Sequence, residues 1–277
     1  MQTGRTTVVS LLPEGVNTAT FKSGSISDDG NLVVFGEMPR TGGTIDTVFL
    51  FDRTSGDVRQ VFGNGLQIAP GKGASTPAIS GDGSTIAFAA RAEAFGVTSG
   101  GADNVIGLVD TATGVESFIR LGFNGRLPEY DLSDDGSRIV VSALQPLAGD
   151  ASDFDYDIYL HEAGTFRALS VGIGGASANA GAFRPQISGD GRFVVFHTKA
   201  DNLVPGDDNG DDDVFVVDVA TGAIVDQIGL GLETGPNGYA ITDASISDNG
   251  RYVVFRYVDK LDTSKNPIFE IKASGWL

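Results

Sequence analysis

One pattern of polar and apolar positions recurs five times along the chain. It reads SISDDGNLVVF (25–35), AISGDGSTIAF (78–88), DLSDDGSRIVV (131–141), QISGDGRFVVF (186–196) and SISDNGRYVVF (245–255). In each copy, a polar Ser-x-Asp/Asn-Gly stretch separates a short apolar segment from a β-branched one. Asp or Asn favours a turn and Gly adopts positive φ at little cost, so each copy predicts a tight hairpin between two strands.

The motif glycines show that the five copies are structural repeats. They lie at positions 30, 83, 136, 191 and 250, at spacings of 53, 53, 55 and 59 residues. A recurring period of this length is typical of stacked or radial repeat architectures.

Two further strands follow each hairpin. A variable loop leads to a third apolar segment (TVFLFD, VIGLVD, DIYLHE, DVFVVD and PIFEIK), and in most copies a second turn leads to a fourth (DVRQVF, VESFIRL, FRALSV and IVDQIGL). Four antiparallel strands per repeat form the unit of a β-propeller blade. The sequence therefore predicts an all-β fold, a five-bladed β-propeller in one domain over 1–277, with blades at about 21–63, 75–121, 129–171, 184–230 and 243–275.

The two ends of the chain suggest how the ring closes. The last repeat stops after its third strand, and residues 5–12 carry an additional strand-like segment. If Thr6–Leu11 pairs beside Ile268–Lys272, the N-terminal strand completes the last blade and satisfies two open strand edges. The alternative is a set of five blades cut from a longer array.

The fourth blade resembles a known family. Its sequence, ASANAGAFRPQISGDGRFVVFHTKADNLVPGDDNGDDDVFVVDVATG (176–222), is similar to the TolB-like, WD40-like (PD40) propeller repeats of bacterial envelope and secreted proteins. The resemblance covers the whole chain and is strongest in this blade. It implies a propeller used mostly for binding or scaffolding, although propellers host several kinds of function.

The charge and composition of the chain argue against two classes of binding partner. The chain has 36 acidic and 19 basic residues, a net charge of −17, and no cysteine. Phosphate backbones and anionic membrane surfaces would repel such a chain, so we expect no nucleic-acid partner and no membrane insertion. We expect an extracellular, cell-surface or periplasmic protein with no signal peptide in this chain, either a monomer or part of a larger polypeptide.

An aspartate-rich loop follows the second strand of the fourth blade. Asp207, Asn209, Asp211 and Asp213 alternate along LVPGDDNGDDDVFVVD (203–218), as oxygen ligands do in calcium loops. The position of Gly210 and the strand that follows exclude an EF-hand. We predict a calcium (Ca²⁺) site in this β-loop, and the alternative is a solvated acidic loop.

The third blade carries a weaker version of the same loop. Asp153, Asp155 and Asp157 alternate in GDASDFDYD (149–157) and would share one face of an extended segment. We predict a second metal site there, with Asp153, Asp155 and Asp157 as ligands.

The sequence contains no complete catalytic signature. There is no G-x-S-x-G nucleophile motif, and the two histidines, His161 and His197, are expected to lie on a rim or pack on strands. We expect Trp276, the only tryptophan, to pack over the last blade, with a sugar-stacking platform as the alternative.

Three charged residues are expected near the mouth of the central channel. Glu129, Arg184 and Asp243 each enter an innermost strand, so they are candidate ligand-binding residues, and the alternative is a structural ring of ion pairs. We predict a non-catalytic binding or scaffold module for a protein or glycan. The alternatives are a carbohydrate-active hydrolase or lyase with carboxylates at the channel mouth, and a structural module of a longer adhesin.

Overall fold

The computed structural model describes residues 19–39, 47–62, 77–97, 103–123, 126–148, 155–229, 239–259 and 268–276. These residues form strands and turns, with two short 3-10 helices at Ala92–Phe95 and Ile173–Gly175. The predicted N-terminal strand at 5–12 lies outside them. No helix in the described part of the chain has the length and apolar character needed to cross a membrane. The predicted all-β class is confirmed.

The chain divides into two compact units, 1–120 and 121–277. The first contains two sheets, each with its strands hydrogen-bonded in sequence order. One sheet comprises β1 (Ala19–Ile26), β2 (Leu32–Pro39), β3 (Thr47–Asp52) and β4 (Val58–Phe62). The other comprises β5 (Ala78–Ile79), β6 (Thr85–Arg91), β7 (Asp103–Asp110) and β8 (Glu116–Phe123), which ends just past the unit boundary.

The second unit contains three more sheets with the same sequential order. The first comprises β9 (Tyr130–Leu132), β10 (Arg138–Ala143), β11 (Asp157–Glu162) and β12 (Thr165–Ala168). The next comprises β13 (Ala182–Ile187), β14 (Phe193–Thr198), β15 (Asp213–Asp218) and β16 (Ile224–Ile228). The last has three described strands, β17 (Tyr239–Ile246), β18 (Tyr252–Asp259) and β19 (Ile268–Ala273).

The apolar positions of the repeats form the cores of both units. Val34, Leu50, Ile86 and Phe88 are buried in one cluster between the two sheets of the first unit. In the second unit, buried Val and Phe side chains of β14 and β15 face both neighbouring sheets and enter two clusters. The middle strands are buried on both faces because sheets pack against each side of them, so their sequences read as continuous β-branched and aromatic runs.

The repeated motif forms the predicted hairpin in all five copies. Its glycines have φ between +65° and +74°. The motif serine donates from Oγ to the Asp or Asn side chain two residues later, as Ser188 does to Asp190 at 2.6 Å. The same Oγ accepts the backbone N–H five residues later, as in the 3.0 Å bond from Phe193 to Ser188. Each turn is therefore closed by side chains that the sequence motif itself supplies.

The motif turns also connect neighbouring sheets within each unit. A backbone N–H at the start of one turn donates to a carbonyl oxygen of the next turn, at 2.9 Å in each case: Asp28 to Gly81 in the first unit, and Asp134 to Gly189 and Asp190 to Asp248 in the second. The motif thus sets both the local hairpin and the spacing of successive sheets.

Candidate functional sites in the second unit

The aspartate loop between β14 and β15 is partly buried. Asp207 is 9% exposed, and Asp213, the first residue of β15, is 1% exposed. Asp208 remains exposed, and Asp211 is half-buried. A fully solvated acidic loop therefore does not describe Asp207 and Asp213, because burying a carboxylate without compensation is costly.

The side chain of Gln227 bridges the two buried carboxylates. Its Nε2 atom donates to Asp207 Oδ2 at 2.8 Å and to Asp213 Oδ2 at 2.6 Å. Gln227 lies on β16, the strand paired with β15, opposite Phe215. Asn209 contributes a longer bond of 3.3 Å from Nδ2 to Asp213 Oδ2. The Gln227 amide is thus the donor that both carboxylates share.

The electrostatics of this pair are unfavourable. Burial raises the pKa of Asp213 to about 6 and also raises the pKa of Asp207. The Oδ1 atom of Asp213 and the Oε1 atom of Gln227 are buried without a hydrogen-bond partner within the described residues. The charge of Asp207 and a hydrogen bond between the two carboxyl groups also raise the pKa of Asp213, so either a shared proton or a cation would stabilise this pair.

A glycine makes the position of Asp213 possible. Gly229 has φ of +133°, and a Cβ atom at this position would lie 1.8 Å from Asp213 Oδ1. No side chain fits in that space, so the carboxylate lies directly against the backbone that follows β16.

The structure brings together some of the predicted calcium ligands. Asp207, Asn209 and Asp213 share one hydrogen-bonded cluster, whereas Asn209 Oδ1 accepts the backbone N–H of Asp211 at 2.8 Å and closes the turn. In the described ranges, no three acidic or histidine side chains form a ready-made metal cluster. Sequence reasoning missed Gln227, because only strand pairing places it beside the loop.

The second predicted metal loop is described in part. Asp153 lies outside the described residues. Asp157 is 5% exposed, and its Oδ1 atom accepts the Ser170 hydroxyl at 2.6 Å. The Oδ1 atom of Asp155 accepts the backbone N–H of Tyr156 at 3.0 Å. The described contacts of both carboxylates are therefore to the protein itself.

A cavity of about 440 Å³ lies in the second unit and contains two of the predicted channel-mouth residues, Glu129 and Arg184. Basic, acidic and apolar side chains share its wall: Arg126, Glu129, Ala180, Gly181, Phe183, Arg184, His197, Lys199, Asp212 and Ile241. Asp243, the third predicted residue, contacts the same wall through Arg184. The structure thus gathers all three residues in one place.

Arg184 has a strained backbone at this cavity. Its φ is +52°, in the left-handed region, where a residue with a Cβ atom is disfavoured by about 1–2 kcal/mol. The register of β13 shifts between Phe183 and Gln186, so Arg184 lies in an irregular segment of the strand. Two contacts hold it: its backbone N–H donates to Glu129 Oε2 at 2.6 Å, and its Nη1 atom donates to Asp243 Oδ1 at 2.7 Å.

The carboxylates at the cavity are engaged by basic groups. Asp243 also pairs with Arg256, at 3.0 Å between Oδ2 and Nε. Glu129 Oε1 lies 3.6 Å from Arg126 Nη1. The guanidinium of Arg126 in turn stacks over two aromatic rings, 4.6 Å from the centroid of Tyr156 and 4.7 Å from that of Phe183. Glu129, Arg184 and Asp243 thus each make at least one charged contact with a neighbouring residue of the cavity.

His197 contributes an unsatisfied polar group to the cavity wall. The residue is 5% exposed, and its Nε2 atom has no hydrogen-bond partner in the described chain. Burial, reinforced by the positive charge of Arg184, lowers the pKa of His197 to about 4, so the ring is neutral at pH 7. Its place on β14 matches the expected strand-packing role, but the orphan nitrogen beside a cavity was not expected from the sequence.

His161 and Trp276, the other ring-bearing residues noted in the sequence, pack against neighbouring aromatic rings. His161 makes an edge contact with Phe166, with ring centroids 4.9 Å apart. Trp276 packs on the core of the second unit, 6.2 Å from the ring of Phe193. This position agrees with packing over the last sheet.

Neither the protein-family models nor the curated proteins show a match to this sequence. Among solved structures, a protein assigned as TolB from Agrobacterium tumefaciens is 15% identical with a TM-score of 0.53, covering 92% of this chain and 77% of its own. TolB from Acinetobacter baumannii is 17% identical with a TM-score of 0.52, over 92% of this chain and 52% of its own. An oligogalacturonate lyase in complex with manganese is 15% identical with a TM-score of 0.57, over 92% of this chain and 62% of its own.

These likenesses establish the fold. The chain has the β-propeller-type architecture of the TolB structures, as its resemblance to TolB-like repeats implied. It spans about half the length of the Acinetobacter protein. Because the similar structures include a lyase as well as TolB, the fold alone does not choose between binding and catalysis.

Proposed function

We propose that this chain is a β-propeller binding or scaffold module, which holds a protein or glycan ligand at the cavity of the second unit. The observation that carries the proposal is the engagement of both candidate catalytic carboxylates. Asp243 is paired with two arginines, and Glu129 accepts the backbone N–H of Arg184. A general acid must release a proton and a nucleophile must reach its substrate, and groups held in this way do neither well.

A carbohydrate screen with two readouts separates binding from catalysis. Retention of the protein in gels that contain a polysaccharide reports binding, and release of new chain ends reports hydrolysis or lyase cleavage. We expect retention without cleavage, or binding to peptides without glycan retention. Cleavage that is lost in Glu129→Ala or Asp243→Ala would replace this proposal with the alternative, a carbohydrate-active hydrolase or lyase.

We further propose that calcium stabilises the module at the aspartate loop. Asp207, Asn209, Asp211 and Asp213 are the sequence-derived ligands, and the convergence of Asp207 and Asp213 on Gln227 supports a cation there. Calcium accepts amide oxygens as well as carboxylates, so Gln227 could turn its orphan Oε1 atom toward the ion. When bound, calcium would neutralise the repulsion between the buried carboxylates.

Thermal unfolding in EDTA and in a calcium titration tests this site. Ligand binding to the folded state raises Tm with increasing concentration, and we expect this rise to be lost in the Asp207→Ala/Asp211→Ala variant. An unchanged Tm up to about 10 mM calcium, above the dissociation constants typical of extracellular modules, would show that the loop does not bind calcium. An Asp155→Ala variant tests the weaker prediction at Asp153, Asp155 and Asp157 in the same experiment.

We also propose that the five repeats form a closed ring, with residues 5–12 as the fourth strand of the last blade. Support comes from the strand-like pattern of residues 5–12 in the sequence, which would give the last sheet four strands, as in the other four sheets. Deletion of residues 1–12 should lower Tm by several degrees. An unchanged Tm would argue against this closure. A bacterial periplasmic, secreted or cell-surface location is the setting that the TolB-like repeats suggest.

A further inference from the structure

We propose that the cavity of the second unit binds a carboxylate group, with Arg184 and Lys199 as the cations that recognise it. This inference rests on the proposed binding function and adds the chemical class of the ligand. Its evidence is the charge around the cavity, the geometry of two ion pairs and the strain at Arg184.

Basic side chains are more concentrated around the cavity than in the chain as a whole. Four basic side chains (Arg126, Arg184, Lys199 and Arg256) meet four acidic ones (Glu129, Asp155, Asp212 and Asp243), with Asp155 Oδ1 directly against Gly181 of the wall. The chain as a whole carries 36 acidic and 19 basic residues. A site where the charges balance, on so acidic a protein, repels an anion less than the rest of the surface does.

The ion pair at the rim is loose enough to accept a ligand. Lys199 Nζ lies 3.7 Å from Asp212 Oδ2, beyond the usual 2.7–3.2 Å range of a hydrogen bond, and the two side chains are 56% and 41% exposed. An exposed pair of this kind contributes little stability, so the ammonium group can turn to an incoming anion at small cost.

Arg184 is held in place before any ligand arrives. Glu129 and Asp243 fix its backbone and its guanidinium, and they maintain a φ of +52°. Backbone strain that is maintained by neighbouring contacts is characteristic of functional positions. A planar guanidinium carries five N–H donors whose spacing matches the two oxygens of a carboxylate.

His197 lies in the wall of the same cavity. Its Nε2 atom has no partner in the described residues and is closed off from solvent, so an anion that accepts its proton must first displace a neighbouring group. An anion beside Arg184 changes the electric field at the ring without touching it. Burial lowers the pKa of His197, and the positive charge of Arg184 lowers it further, which places the guanidinium charge near the ring. The four acidic side chains nearby (Glu129, Asp155, Asp212 and Asp243) oppose a doubly charged group, which favours a carboxylate over a phosphate dianion.

The two histidines of the chain provide a direct test. The ring nitrogens of His197 report on the cavity, and those of His161, which contacts Phe166, serve as an internal reference. Titration of the full chain with acetate and with neutral acetamide, at constant ionic strength, is followed by imidazole NMR. We expect a saturable shift at His197 with acetate, none with acetamide, and none at His161.

Three variants connect that shift to the proposed residues. Lys199→Gln removes an exposed cation, and Arg184→Asn removes the guanidinium while it introduces a residue that tolerates positive φ. Each should weaken acetate binding by about tenfold, the loss expected for one charge-assisted hydrogen bond. Arg120→Gln is the control. The side chain of Arg120 is 55% exposed and forms an ion pair, as does that of Arg184, which is 54% exposed, but Arg120 is absent from the cavity wall.

The probes also identify the source of the carboxylate and distinguish the possible failures. A glutamate-containing peptide and a glucuronic-acid disaccharide, each compared with its uncharged amide, show which carrier binds more tightly. If neutral and charged probes shift His197 equally, the carboxylate inference is wrong and the binding function stands. The same conclusion follows if Lys199→Gln binds acetate as the unchanged protein does. If no probe shifts the His197 signals, both the carboxylate inference and the proposed binding function at this cavity are wrong.

Discussion

The backbone N–H of Arg184 donates a 2.6 Å hydrogen bond to the side chain of Glu129, which lies 55 residues earlier in the chain. The bond joins β13 to the segment just before β9 and holds Arg184 in its left-handed conformation. The cavity therefore depends on a contact between two repeats.

Replacement of Glu129 should remove a contact that holds Arg184 in its left-handed conformation and so lower the stability of the fold. Glu129→Ala removes the acceptor of the Arg184 N–H, and a charged hydrogen bond with partial exposure is worth about 1–2 kcal/mol. We expect the free energy of unfolding in urea to fall by that amount, while Glu129→Gln, which keeps an acceptor oxygen, loses less. Glu116→Ala, at an exposed position of β8, is the control. Equal losses in Glu129→Ala and Glu116→Ala would show that the bond does not hold Arg184.

Asp213→Asn should have opposite effects with and without calcium. In EDTA the variant removes a charge from a residue that is 1% exposed and relieves its repulsion with Asp207, so Tm should rise. In millimolar calcium the variant lacks a proposed ligand, so Tm should fall below that of the unchanged protein. Differential scanning calorimetry of both proteins in EDTA and in calcium measures this change in the sign of the Tm difference. A variant that is less stable in both would indicate that the charge is satisfied by the protein alone.

A pair of glycine substitutions tests the packing around Asp213. Gly229→Ala places a Cβ atom 1.8 Å from Asp213 Oδ1, so the loop must move, and we expect a loss of more than about 3 kcal/mol. Gly210→Ala is the matched control, because Gly210 has φ of +66° and open space around it. That variant should lose only the left-handed penalty of about 1–2 kcal/mol. Similar losses in the two variants would contradict the close approach.

Half-buried Asp131 and buried His197 should make opposite contributions to stability as pH changes. Burial raises the pKa of Asp131, whose Oδ2 atom accepts the Ile187 N–H at 3.0 Å, to about 6. The folded protein holds that proton more tightly than the unfolded chain, so the contribution of Asp131 is lost as pH rises from about 4 to about 6. The pKa of His197 is lowered to about 4, so its contribution is lost as pH falls from about 6.5 to about 4.

Single substitutions should reveal each contribution. Asp131→Asn should make the free energy of unfolding rise more steeply between pH 4 and pH 6, and His197→Gln should make it rise less, each by up to ~3 kcal/mol. Urea unfolding followed by the fluorescence of Trp276, which packs against Phe193, measures both variants. A slope that is unchanged in either variant would show that the corresponding group titrates normally in the folded protein.

The sequence by itself determined the local structure of this protein. Ser, Asp or Asn, and Gly within six residues close each motif turn, so the hairpins depend on neighbours in the chain. They were therefore predictable, as were the strands that follow them. The recurrence of that unit was enough to predict the all-β propeller-type fold.

Only the tertiary structure decided what surrounds the candidate residues. Gln227 reaches Asp207 and Asp213 because β16 pairs with β15, and Arg184 meets Glu129 because two repeats pack together. The burial of His197 likewise depends on the sheets that cover β14. These properties follow from contacts between residues distant in the chain. A residue type predicts which chemistry is available, whereas packing decides which groups meet and how far their charges are removed from water.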